Sequence, residues 1–458
     1  MFRLPFFCIL VAALLVSLAP AATVTRPPNI IFIIADDLGY GDLGSYGQKL
    51  IHTPRTDRMA KEGLRFTQFY ASASCAPARC VLLTGLHSGH ARIRSNAKSS
   101  LRPEDTTFVE LLQRAGYATG GVGKWGQGDR GTTGAPWKKG FDLFFGYLDQ
   151  TQAHTHYPDH LWRNDTRVEI PENRDKQRRV YSHDLFTTTA LDFIRQHKDQ
   201  PFFLYGAYTL PHAEVAVPDD SVAEYRGKWP EPVAFPGSAT YCAQDQPRAV
   251  RAAMISRLDR DVGRILDLVE ELKLTDNTLV IFTSDNGPIT AGGQDPEFFA
   301  SAGPLRGLKF TLHEGGIRVP FIARWPGCIV AGTESPLVAG FDDLFPTLVE
   351  LARGKTPAGL DGVSLAPTLL GQPEKQVRRE LLYWEAAPQQ AARAGDWKAY
   401  RPAPNQPLEL YNLANDIGET KDLAAARPEI TARMTKLLES AHVDSPEFPL
   451  HRKGKKKR

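Results

Sequence analysis

Two unbroken apolar runs, each stopped by acids, constrain this chain more than any other feature. Asn29-Ile30-Ile31-Phe32-Ile33-Ile34 runs into Asp36-Asp37-Leu38-Gly39, and Thr278-Leu279-Val280-Ile281-Phe282-Thr283 runs into Ser284-Asp285-Asn286-Gly287. A strand without polar alternation has both faces covered, as in a parallel sheet held between helices. Further runs of this kind are Ala118 to Val122, Phe202 to Ala207 and Phe321 to Trp325. Helical patterns lie between them at Phe108 to Arg114, Ser182 to Gln196 and Ala249 to Leu272. This alternation predicts an α/β fold with a large, mostly parallel sheet flanked by helices on both faces. Open sheets of this kind collect ligands at the carboxyl ends of their strands. Asp36, Asp37, Asp285 and Asn286 could therefore face one site, where hard oxygen ligands suit calcium or magnesium rather than zinc or copper; helix or turn capping is the alternative role for such residues. Calcium is the better fit because it accepts irregular carboxylate coordination.

Past Pro357 the texture changes, and Pro367 to Pro373 reads as a connection. Short strand-like runs follow at Glu380 to Trp384, Trp397 to Tyr400 and Leu408 to Tyr411, with a helix around Pro428 to Leu438. They predict a small antiparallel sheet with one packed helix. At the amino end, Arg3 precedes an apolar run from Leu4 to Leu18 and then Ala19-Pro20-Ala21, the pattern of an export signal cut near Ala21. That run, interrupted by Pro5, is shorter than the roughly 20 residues needed to span a bilayer. The expectation is an exported protein, periplasmic or extracellular, with no membrane contact after cleavage. The division is then 1–21 signal, 22–370 large domain, 371–445 small domain and 446–458 basic disordered tail.

The chain carries 55 Lys and Arg against 52 Asp and Glu, a formal charge of +3. Arg3 leaves with the signal and six of the last seven residues are basic, so the rest holds 48 basic residues against 52 acidic ones. The sequence pI near 8.5 belongs to the tail, and nucleic-acid binding does not follow from it. Once Cys8 is lost with the signal, Cys75, Cys80, Cys242 and Cys328 remain, too few for a disulfide framework.

One of these cysteines has a distinctive setting. Cys75-Ala76-Pro77-Ala78-Arg79-Cys80-Val81-Leu82-Leu83-Thr84-Gly85 resembles the signature of the formylglycine-dependent, arylsulfatase-like sulfatase family, in which Cys, Pro and Arg at alternate positions precede Leu-Thr-Gly. The resemblance spans roughly Asn29 to Leu423 in motif order. It implies the alkaline-phosphatase-like α/β fold, with 22–370 as catalytic domain and 371–445 as C-terminal subdomain. It implies that a formylglycine-generating enzyme oxidises Cys75 to an aldehyde during maturation. One hydroxyl of the hydrated aldehyde then attacks sulfur and the other later expels sulfate, which splits one hard step into two. The family places its metal acids at the two strand ends, so the resemblance gives Asp36, Asp37, Asp285, Asn286 and the modified Cys75 as ligands of one divalent cation.

It further implies that Arg79 steadies the aldehyde hydrate, and that Lys124 in Gly123-Lys124-Trp125 and Lys309 in Gly307-Leu308-Lys309 grip the sulfate. His212 in Leu210-Pro211-His212-Ala213 corresponds to the histidine that contacts sulfate and protonates the leaving oxygen. Gly315-Gly316-Ile317-Arg318-Val319-Pro320 strengthens the match after Lys309. Asp416, Gly418, Glu419 and Asp422 resemble the closing segment and read as structural.

One position departs from the pattern. The family often has His after Gly-Lys-Trp, where it orients the hydrate and helps release sulfate; here that residue is Gly126. Some carbohydrate-directed sulfatases also read Gly-Lys-Trp-Gly. His154 or His156 is the candidate replacement, with structural histidines as the alternative. The segment His154 to Trp162, rich in His, Tyr and Trp, could contact sugar faces and hydroxyls. The expected substrate is therefore a sulfated carbohydrate of galactose or N-acetylgalactosamine type, with His154 among its contacts. Two alternatives stand beside this reading. A phosphomonoesterase or phosphodiesterase of the same fold is opposed by the Cys75 signature and by a single set of oxygen ligands. An inactive sulfated-glycan-binding protein is motivated by Gly126.

Overall fold

The structure, a computed structural model, describes residues 26–450; the export signal and the basic run 452–458 lie outside the described residues. Its centre is five parallel strands, in spatial order Thr278–Ser284, Asn29–Ala35, Phe202–Ala207, Ala118–Lys124 and Leu143–Tyr147. The apolar runs become strands for the reason their pattern gives. Along Asn29–Ala35, Ile31, Ile33 and Ala35 enter one core while Ile30, Phe32 and Ile34 enter the other, so neither face needs a polar residue. Helices Ser182–His197 and Pro247–Glu271 cover the first face. Helices Cys75–Thr84, Phe108–Arg114 and Leu344–Leu351 cover the second. Thr107 starts the Phe108 helix with a capping box, its hydroxyl accepting from the Glu110 N–H.

Among the described residues the sheet has ten strands. Phe321–Arg324, a buried run that fits the parallel set by sequence, pairs antiparallel with Thr278–Ser284. It also pairs antiparallel with Leu64–Phe66. A strand buried on both faces reads the same whichever way it runs, so composition carries no direction.

The small sheet is an antiparallel meander of Leu382–Ala386, Gln389–Ala394, Trp397–Arg401 and Glu409–Asn412. Helix Pro428–Ser440 packs Met434 and Leu438 onto it. Gln389–Ala394 was not among the predicted strands, because Gln-Gln-Ala-Ala-Arg-Ala has no β-branched residue. Its alanines serve the packing: Ala391 enters the core shared with Tyr70, Leu312 and Ile317, and Ala392 the core under the helix, both fully buried. The expected tail also begins too early at 446. Glu447 pairs with Arg92 and accepts from Ser99, and Leu450 is buried.

Candidate active site

Register brings the acids together. Ala35 and Ser284 are partners at the end of adjacent parallel strands, so the next residues, Asp36 and Asp285, leave the sheet side by side. Asp37 turns back in the left-handed region (φ 68°), which a short polar side chain tolerates, and its N–H donates to Asp285 Oδ1 at 3.3 Å. The neighbouring strands contribute at the same edge. Lys124 is the last residue of Ala118–Lys124, and the loop after Phe202–Ala207 carries His212. Cys75 opens its helix directly opposite, its thiol 3.1 Å from Asp36 Oδ1.

The side chains interlock. Lys124 Nζ donates to Asp36 Oδ2 at 2.6 Å, and Lys309 Nζ donates to Asp37 Oδ1 at 2.6 Å while lying 3.1 Å from Cys75 Sγ. The Arg79 guanidinium donates to Asp285 Oδ2 at 2.9 Å and to the Lys124 carbonyl at 2.8 Å. Asn286 Nδ2 donates to Asp37 Oδ1 at 2.7 Å. His212 Nε2 stands 3.7 Å from Asp37 Oδ2. The ten residues singled out by sequence thus converge, with His154 reaching the group by stacking on His212 at 5.1 Å between centroids and 12° between planes.

Electrostatics follow from burial and crowding. Asp36, Asp37, Asp285, Asn286 and Arg79 are fully buried and Lys309 is only 5% exposed. Burial would raise the Asp36 carboxyl, but Lys124 foremost, with His212, Arg79 and Lys309, holds it well below the usual range. Burial wins at the other two acids: Asp37 is raised despite Lys309, and Asp285 is pushed up to about 6, with Asp36 adding to both. Burial foremost, with Asp285 and Asp36, also pushes the Cys75 thiol up against Lys124 and Lys309, which disfavours the thiolate. Asp37 Oδ2 and Asn286 Oδ1 are buried without a hydrogen-bond partner among the described residues. One ligand atom each of Asp36, Asp37, Cys75 and His212 lies within 4.8 Å of the others. This buried Asp-Asp-Cys-His group, with unpartnered carboxylate and amide oxygens beside it, could hold a metal ion.

The two candidate histidines separate. His156 is fully buried behind the site, its ring nitrogens against the His212 carbonyl (3.1 Å) and the Thr209 hydroxyl (3.3 Å), so it supports the His212 loop. His154 stacks on the His212 ring, and its Nδ1 has no hydrogen-bond partner among the described residues. Tyr157 packs on Tyr181 and Trp162 lies under Arg130, so these two aromatics of the segment are engaged elsewhere.

Sequence reasoning missed two neighbours. Gly126 has φ 73°, and a β-carbon there would sit 2.2 Å from Gln150 Nε2, so Gln150 fills the space a side chain at 126 would take. That amide nitrogen is buried and unpartnered. The only sequence signal was that Gln150 opens the histidine-rich segment. Tyr241, whose ring lies 5.5 Å from His154 and 6.4 Å from His212, had none.

The chain is similar to known proteins over most of its length. The Sulfatase family model matches residues 28–355, and one described as N-sulphoglucosamine sulphohydrolase, C-terminal, matches 308–444. The chain is 35% identical over 412 residues to N-acetylgalactosamine-6-sulfatase of Homo sapiens, covering 83% of this chain and 72% of that protein. It is 34% identical over 493 residues to arylsulfatase A of Homo sapiens, covering 93% and 90%. Among solved structures, Ps i-CgsB in complex with k-i-k-neocarrahexaose aligns with a TM-score of 0.77 at 28% identity, covering 91% of this chain and 92% of that one. With the buried cysteine, the strand-end acids and the surrounding cations all in one site, and a family match over most of its length, the chain belongs to the sulfatase family and is a sulfuric ester hydrolase.

Proposed function

We propose that the protein releases sulfate from sulfated carbohydrate, using formylglycine made from Cys75 and one calcium or magnesium ion held by Asp36, Asp37, Asp285 and Asn286. The observation that carries this reading is the convergence, from five separate segments, of one thiol, three carboxylates and three cations, none more than 5% exposed. The hydrated aldehyde supplies an oxygen nucleophile and a second hydroxyl for release, and the cation supplies charge neutralisation at the sulfate oxygens.

The chain's own residues do the rest. Arg79, anchored on Asp285 and on the Lys124 carbonyl, fixes the first turn of the Cys75 helix against the acids and holds the nucleophile in line. Lys309 and Lys124 put two buried ammonium groups beside Cys75 and Asp36, where charge on the non-bridging oxygens needs them. His212 turns Nε2 to the site, 3.7 Å from Asp37 Oδ2, so this ring nitrogen is the one placed to exchange a proton there. Burial foremost, then Lys124 and Lys309, pushes its imidazolium down, with Asp36 opposing. An arriving sulfate ester anion offsets that push, so Nε2 takes its proton as substrate binds and passes it to the leaving oxygen. His154, stacked on this ring, contacts the sugar and takes part in sulfate release in place of the histidine absent at 126.

Likeness to N-acetylgalactosamine-6-sulfatase supports a galactose-type ester. The reading also requires export to the periplasm or outside the cell and a formylglycine-generating enzyme during maturation. A panel of singly sulfated sugars beside nitrophenyl sulfate, compared by kcat/KM, tests the substrate class. A terminal galactose or N-acetylgalactosamine sulfate should win; an aryl ester beating every sugar by a large factor would refute it. The mass of the Cys75 peptide in active enzyme tests the nucleophile, which is expected as formylglycine and not as free thiol.

A further inference from the structure

Beside the buried site lies a cavity that the reaction chemistry leaves unused. It has a volume of about 320 Å³ and is bounded by Ser74, Asn96, Phe310, Gln389 and Phe448. That is the lower end of ligand pockets, roughly 300–1,000 Å³, and suits a single sugar residue. Its position is set by two neighbours of the reacting groups: Ser74 precedes Cys75, and Phe310 follows Lys309.

Phe310 is unusual in two independent ways. It is 52% exposed, whereas the other strongly exposed large apolar side chains of the described residues are all valines. It also holds φ at 70°, a left-handed conformation that a bulky side chain rarely adopts. Both flanking backbone groups are tied down. Its N–H donates to the Ala73 carbonyl at 2.8 Å, and its carbonyl accepts from Gln389 Nε2, on the small sheet, at 2.9 Å. The ring stands outside the core and forms part of the cavity wall. Lys309 Nζ lies 5.3 Å from the ring centroid and 3.1 Å from Cys75 Sγ, so one ammonium separates the exposed ring from the reacting atom. The Lys309 ammonium lies over one face of the ring, so a sulfate held by Lys309 would bring its sugar beside Phe310, whose remaining exposed surface offers a π-cloud to C–H groups. Asn96, exposed and fixed through Oδ1 to the Ala76 N–H at 3.0 Å, offers its amide NH2 to a hydroxyl.

We infer that this cavity is the subsite for the sugar residue bearing the scissile sulfate, with Phe310 as its stacking platform and a determinant of specificity. The inference rests on the carbohydrate reading above. A contact with the unreacting ring is equal in ground and transition states, so it acts on KM and leaves kcat nearly unchanged.

The test is Phe310→Gly, which deletes the ring and suits the backbone, so the fold is retained, with Phe310→Tyr as the conservative control. Wild type and both variants are assayed on galactose 6-sulfate and N-acetylgalactosamine 6-sulfate, with inorganic sulfate as product inhibitor. Phe310→Gly should raise KM for the better sugar about ten-fold, the scale of one aromatic contact, with kcat within about two-fold. Phe310→Tyr should restore the wild-type KM, and the inhibition constant of sulfate should not move. An unchanged KM overturns the platform. A sulfate constant that weakens in step with KM also overturns it, because the ring would then act by positioning Lys309. A wild type that cleaves nitrophenyl sulfate but neither sugar would remove the carbohydrate reading itself, and the platform with it.

Discussion

Replacing Gly126 by alanine should be costly for two separable reasons. The backbone there is left-handed, at φ 73°, and an L residue pays about 1–2 kcal/mol to adopt it. The new β-carbon would also meet Gln150 Nε2 at 2.2 Å and its Cδ at 2.9 Å, forcing that buried amide off its rotamer for about 0.5–1.5 kcal/mol. Gly126→Ala should therefore destabilise the wild type by about 1.5–3.5 kcal/mol. In a Gln150→Ala background the contact is gone but the backbone strain stays, so the same substitution should cost only about 1–2 kcal/mol. Denaturant unfolding of the four proteins closes the cycle. The consequence for activity is that Gly126→His, which installs the residue common elsewhere in the family, should lose stability without gaining turnover unless Gln150 is shortened as well. A neutral Gly126→Ala, or a cost identical in both backgrounds, would refute the argument that Gln150 occupies this space.

Three further outcomes are expected. Cys75→Ala should abolish turnover while its melting temperature stays near that of the wild type, and residual sulfatase activity would show that another nucleophile acts. A chelator should remove both activity and several degrees of thermal stability, since Asp36, Asp37 and Asp285 are then left facing one another; calcium or magnesium should restore both, and better restoration by zinc would contradict the oxygen donor set. At Glu314, burial raises the carboxyl but Lys398 foremost, with Arg318 and Arg393, brings it from 4.5 down to about 2. A carboxyl depressed on folding stabilises above its unfolded value, and that contribution is lost as pH falls from about 4.5 through about 2. Over that window the wild type should lose about 3 kcal/mol more than Glu314→Gln, and parallel acid-unfolding curves would refute it.

Much of this protein was legible in the sequence because the relevant signals are local. The runs before Asp36 and Asp285 are apolar throughout 30–35 and 279–282 because each strand feeds two cores, and that pattern identified the sheet and the strand ends at which the acids emerge. The helices Phe108–Arg114 and Ser182–His197 announced themselves by period, and the Cys75 signature by its spelling. The Gln389–Ala394 strand and the reversed Phe321–Arg324 strand were not legible, since pairing partner and direction are chosen by neighbours far along the chain. The site divides in the same way. Sequence determined which residues carry charge, oxygen and sulfur and at which strand ends they emerge. Only the tertiary structure decided that Lys309 reaches Cys75 from 234 residues away, that His154 rather than His156 lies on the His212 face, and that Gln150 fills the space beside Gly126. Composition and period describe what each segment can bury, whereas these contacts depend on strand register and loop closure, which are settled when the whole core packs.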